Sequence, residues 1–120
     1  MSIMNYINKY RKKFLIYQIS KINLPNFEED DLVRMHLLFT GRVQGVGFRV
    51  EALGIANKLD LSGWVKNKMN GQVEIEVEGS KEKIMYMIDY LTSINRAPVE
   101  DVEKTEIEVK NIEKDFEVVY

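Results

Sequence analysis

The residues best suited to chemistry stand in one short run, Gly41-Arg42-Val43-Gln44-Gly45-Val46-Gly47-Phe48-Arg49. Its glycines at 41, 45 and 47 remove side-chain bulk and let consecutive backbone N–H groups point into one concavity. Such a nest at the start of a helix is an anion site, and phosphate is its natural guest. Arg49, in the first turn of the helical pattern that follows, adds a guanidinium able to fork onto two oxygens. The dinucleotide fingerprint G-x-G-x-x-G is absent, because Gly45-x-Gly47 is followed by Phe48, Arg49 and Val50. The Gly-Lys-Ser/Thr of the Walker loop is absent too. Spacing alone leaves two readings open: a phosphate cradle, or a tight turn with Arg49 as a surface charge.

Composition excludes much else. The 120 residues contain no cysteine, which rules out a disulfide scaffold, a zinc-thiolate site, an iron–sulfur centre and a thiol nucleophile. A single histidine, His36, leaves little room for a multi-His metal site or a His-based relay. Apolar residues make up 45% and charged residues 30%, enough core for one compact domain. The 17 bases and 19 acids nearly cancel, so a basic nucleic-acid binder is not the expected class. No apolar run approaches the roughly 18 residues of a membrane span. Phe14-Leu15-Ile16-Tyr17 is too short for a signal peptide, and no small-residue cleavage site follows it. These features predict a soluble, cytoplasmic protein.

The elements that must position the loop can be read from periodicity. Val33 to Thr40 alternates as a first strand, and Phe48, Ala52, Ile55, Ala56 and Leu59 recur at helical spacing after the glycine run. Ser62 to Asn67 reads as a second strand. Asn70-Gly71 reads as a hairpin turn, both residues tolerating positive φ, before the alternating strand Gln72 to Glu78. Ser80 is the expected N-cap of a second helix with an Ile84, Met87, Ile88, Leu91, Ile94 stripe. A strand over Val102 to Lys110 and a short edge strand from Phe116 to Tyr120 complete the series. The order β-α-β-β-α-β predicts an α+β, ferredoxin-like split βαβ sandwich: an antiparallel sheet with both helices on one face.

Residues 1–22 hold Lys9, Arg11, Lys12, Lys13 and Lys21 and no acid, leaving 12 bases against 19 acids in the rest. Pro25 and the acid run Glu28-Glu29-Asp30-Asp31, expected to be solvated, mark a boundary. We therefore divide the chain into a helical extension with linker, 1–31, and a main domain, 32–120. In the extension Ile3, Ile7, Tyr10, Phe14 and Tyr17 form an amphipathic stripe, with Asn5, Asn8, Lys9 and Lys12 on another side. Docking on the chain's own domain is the favoured fate. Glu74, Glu76, Glu78, Glu106 and Glu108 should make the open sheet face acidic and complementary to the basic helix. Contact with an anionic membrane and pairing with a second copy are the other fates, and the oligomeric state is not readable.

The chain resembles the acylphosphatase family at two places. Gly41 to Arg49 is similar to that family's first signature. Gly63-Trp64-Val65-Lys66-Asn67, followed by Gly71-Gln72-Val73 and Gly79, is similar to the second. The resemblance spans roughly residues 33–120, including the element order. It implies a metal-free hydrolase, without cofactor, that cleaves the carboxyl–phosphate bond of small-molecule acyl phosphates. By that resemblance the backbone of Gln44, Gly45, Val46, Gly47 and Phe48 cradles the phosphate. Arg49 binds its oxygens, and Asn67 orients the attacking water. Where the family often has Asp before the hairpin glycine, this chain has Asn70, an equally good turn former. Residues 1–31 have no counterpart in the short members.

Physical chemistry agrees with so sparse a site. The leaving carboxylate, with a pKa of about 4, needs no general acid. Positioning and electrostatic stabilisation then carry the reaction. The alternative is a regulatory domain that binds phosphate or an acyl phosphate without turning it over. An RNA-binding sheet is a further class, disfavoured by the expected acidic face. Beside the motif, His36 reads as a sheet-face residue and Trp64 as packing. Arg42, Lys66 and Lys68 read as solvated charges, or as groups that steer anions inward.

Overall fold

Alternation and helical spacing are realised almost where they were expected. The computed structural model describes the backbone of residues 3–120 and the side chains of residues 12–120. The elements are α1 (Ile3–Ser20), β1 (Leu32–Gly41), α2 (Phe48–Lys58), β2 (Ser62–Asn67) and β3 (Val73–Ser80), then α3 (Lys81–Thr92), β4 (Val99–Ile107) and β5 (Phe116–Val119). The strands form one sheet in the order β4-β1-β3-β2-β5. β1 is antiparallel to β3 and β4, and β2 is antiparallel to β3 and parallel to β5. This is the expected ferredoxin-like architecture with β5 added at the β2 edge.

One parity of each central strand builds the core. Leu37, Phe39, Val65, Val73, Ile75 and Val77 are fully buried against Phe48, Ala52, Ile55 and Ala56 of α2 and Ile84, Met87 and Leu91 of α3. At roughly 1.5–3 kcal/mol per fully buried large apolar side chain, this layer dominates the folding drive.

The extension docks elsewhere than expected. Its described part lies on α2, not on the open sheet face. Leu15 and Ile19 are buried, and Ile19 joins the main core. Gly54 of α2 permits the approach: a Cβ there would stand 2.5 Å from Ile19 Cδ1. Phe14 and Tyr17, assigned by spacing to the packing stripe, are exposed. Ile3, Ile7 and Tyr10, and Asn5, Asn8 and Lys9 opposite them, lie outside the described side chains. The chain then packs Phe27 edge-on against Tyr86 of α3, with ring centroids 5.7 Å apart.

The linker also corrects the cap of α3. Ser80 occupies the N-cap position but its hydroxyl makes no cap bond and is buried without a partner among the described residues. Asp30 Oδ2 instead accepts from the Glu82 amide at 3.1 Å. An acid expected in solvent therefore meets the positive end of a helix.

The open face is not a uniform acidic surface either. Arg34 is completely buried there, donating to Glu76 at 2.8 Å and, through both terminal nitrogens, to Glu113 at 2.9 and 2.8 Å. Glu78 is also buried, accepting from the amides of Lys110 and Asn111. The connection from β4 to β5 thus crosses the sheet as a strap fastened by Arg34 and Glu78. Glu106 lies on the helix side, opposite Met35, and meets Lys81 at 3.7 Å. His36 does sit on the open face, 2.7 Å from Glu74.

Candidate active site

The loop between β1 and α2 is built so that its donors stay free. Gly45 and Gly47 have φ of 75° and 83°, the left-handed region where a side chain is costly. Gly47 is the N-cap of α2, without any side-chain cap bond. Among the described residues, the amides of Gln44, Gly45, Val46, Gly47 and Phe48 donate no hydrogen bond. The first of the loop region's amides in use belong to Arg42, bonded to Pro98 O, and to Glu51, bonded to Gly47 O. Between them lies a row of unused N–H groups at a helix N-terminus, an arrangement suited to an anion.

Three side chains fasten this row. Phe48 is buried and packs edge-on to Phe39, with centroids 5.1 Å apart. Gln44 Nε2 donates to Lys68 O at 2.7 Å and Gln72 O at 2.9 Å, tying the loop to the hairpin between β2 and β3. In that hairpin Gly71 takes positive φ, whereas Asn70 acts through its side-chain oxygen, accepting from the Gln72 amide at 3.0 Å. Arg96 donates to Val46 O at 3.1 Å and pairs with the buried Glu51 of α2. Tyr90 of α3 also donates to Glu51. Burial, and then that carboxylate, push the Tyr90 hydroxyl well above its ordinary range, so it remains a donor.

Arg49 lies in the first turn of α2, and its guanidinium carbon stands 5.1 Å from the centre of the Tyr120 ring. A cavity of about 380 Å³ opens here. Gly45, Gly47, Arg49 and Val50 form one side of it, Lys12 and Leu15 another, and Tyr120 a third. The structure thus brings Arg49 and the loop glycines to one opening. Asn67 is not part of that lining. It ends β2, opposite Val73 and so on the helix side of the sheet, one residue before the carbonyl that Gln44 grips. Its Oδ1 is buried with no partner among the described residues. Buried polar atoms are almost always bonded, so this acceptor is open to a partner that the described residues do not supply.

Sequence reasoning missed Glu51, Tyr90, Arg96, Tyr120 and Lys12 as parts of this region. Arg96 and Glu51 are separated by 45 positions and meet only through the packing of the helices.

Comparison with known proteins bears on the same segment. A family model described as acylphosphatase matches residues 35–118. An acylphosphatase of Clostridium beijerinckii is 40% identical over 90 residues, 74% of this chain and all of the relative. The crystal structure of an acylphosphatase from Bacillus subtilis superposes with a TM-score of 0.70 at 34% identity, covering 73% of this chain and 99% of that one. Full-length HypF, in a phosphate- and nucleotide-bound form, matches with a TM-score of 0.70 at 32% identity. There the likeness covers 79% of this chain but only 13% of the other.

Proposed function

This chain belongs to the acylphosphatase family, a family of hydrolases, and on that footing we propose how its residues divide the work on a small-molecule acyl phosphate. The amides of Gln44, Gly45, Val46, Gly47 and Phe48, with the guanidinium of Arg49, hold the phosphoryl oxygens. Asn67 accepts one hydrogen of a water and aims its oxygen at phosphorus. As the new P–O bond forms, the bond from phosphorus to the acyl oxygen breaks. The electron pair leaves with the carboxylate, and the water's protons pass to the phosphate product and to solvent. A neutral amide suits the task at Asn67, since it does not repel the dianion.

The observation that carries this reading is the row of unemployed amides at the start of α2. Donors fixed before the substrate arrives need no reorganisation as charge spreads over the phosphoryl oxygens. No proton donor is required, because the departing carboxylate is already a stable anion at neutral pH.

Benzoyl phosphate turnover in the presence and absence of a chelator tests the reading, with equal rates expected. Arg49→Ala should lower kcat/KM by at least about 10²–10³ while the circular dichroism spectrum is retained. Arg49→Lys should fail similarly, since a fork of donors becomes a point charge. Activity of Arg49→Ala within about tenfold of the parent would remove Arg49 from the mechanism.

A further inference from the structure

The cavity beside Arg49 is larger than a phosphoryl group requires. Its volume of about 380 Å³ lies in the range of small-molecule pockets. Arg49 and the glycine loop face it from one side. Facing it from another are Lys12 and Leu15 of α1, an element that precedes the segment matched by the family model.

The position of Lys12 is fixed by packing. Leu15, one helical turn on, is buried, and its Cδ1 lies 3.0 Å from where a Cβ on Gly47 would stand. Ile19, a turn further, seats α1 against Gly54. Lys12 makes no ion pair among the described residues, and residues 1–22 contain no acid that could supply one. The lining side chains are therefore two cations, no carboxylate, and the apolar surfaces of Leu15, Val50 and Tyr120, whose α-carboxylate forms no ion pair with Lys12 among the described residues. A phosphoryl group engages Arg49 and the amides. Lys12 is left over, with apolar wall nearby to take a hydrocarbon segment.

Resting on the reading of the phosphate site above, we propose that Lys12 pairs with a carboxylate on the acyl part of the substrate. The enzyme then favours acyl phosphates that carry a second negative charge. A single ammonium balances one carboxylate, whereas a second phosphate would ask for more donors than this wall provides. Residues 1–31 thereby add selectivity to a reaction the main domain performs.

Benzoyl phosphate and its 3- and 4-carboxy derivatives test this in the full chain, since the probes share the scissile bond and the ring. The quantity read is the kcat/KM of the better carboxylated probe divided by that of benzoyl phosphate. In Lys12→Met this ratio should fall about tenfold, equivalent to ~1.4 kcal/mol, mainly through KM. Lys12→Arg should restore it. Lys13→Met removes the same charge from an exposed neighbour outside the cavity and should leave the ratio within about twofold. A fall smaller than about fivefold in Lys12→Met overturns the proposal. An equal fall in Lys13→Met also overturns it, since the effect would then be the general field of the helix. A parent that hydrolyses none of the probes overturns the phosphate-site reading and this one together. Turnover with an unaltered ratio overturns this one alone.

Discussion

A carbonyl held outward leaves its neighbouring amides free to face inward, and Arg96 holds the carbonyl of Val46 in that way. Arg96→Met should lower kcat/KM by roughly tenfold, through loss of loop order, and weaken phosphate inhibition in proportion. It also strips a partner from buried Glu51, which should cost about 1–3 kcal/mol of stability. Adding Glu51→Gln to Arg96→Met separates the two effects: the unfolding midpoint recovers while kcat/KM does not. Asn67 should behave differently. Asn67→Ala is expected to cut kcat by about 10²–10³ while inhibition by phosphate persists. Loss of that inhibition would make Asn67 a ligand of the anion. Arg49 and the loop glycines, which the structure brings to one cavity, were legible because they sit inside a compact motif with its own residue signature, whereas Asn67, marked by a second motif, stands outside that lining. Arg96, Glu51 and Tyr90 were not legible, because each contributes an ordinary side chain to a network that exists only once α2 and α3 are packed.

Elements were legible to the degree that one neighbour decided their pattern. β3 lies between two strands with one face on the core, and its alternation of Val73, Ile75 and Val77 gave the right side. β4 has a neighbour on one edge only and buries little, so its apolar residues obey no single parity. The side assigned to Glu106 came out reversed for that reason. In α1 two apolar stripes compete, and periodicity cannot tell Phe14 and Tyr17 from Leu15 and Ile19 without knowing which partner waits. Gly54, which decides it, lies in another helix. Ile19→Ala should cost about 2 kcal/mol or more in chemical unfolding, as expected for a core position. Phe14→Ala, at an exposed position of the same helix, should change stability by less than about 0.5 kcal/mol. Equal effects would mean that α1 packs by its other stripe.

The molecule as a whole is closed by charge as well as by core. Hydrogen bonding to Arg34 holds Glu113 below the ordinary glutamate value of 4.5. Glu76 is also lowered, hydrogen bonds from Lys110 and Arg34 outweighing the opposing effect of its burial. Both carboxylates bind protons more weakly folded than unfolded. Their stabilisation is therefore complete above about pH 4.5 and is lost as pH falls through the depressed folded values. Urea midpoints should be nearly level from neutral pH down to about 5 and drop below that. Glu113→Gln should lower the plateau and flatten the acid limb; an unchanged limb would mean that the strap contributes nothing to it. The strap was invisible in the sequence, where Arg34 and Glu113 are 79 positions apart. The sheet has two margins, β4 and β5, and the β4 margin is acidic. β4 presents Glu100, Asp101, Glu103 and Glu106 along a row of unpaired backbone groups. A second molecule sidling up to β4 would confront its own negative charges, and lengthening of the sheet through that strand is opposed.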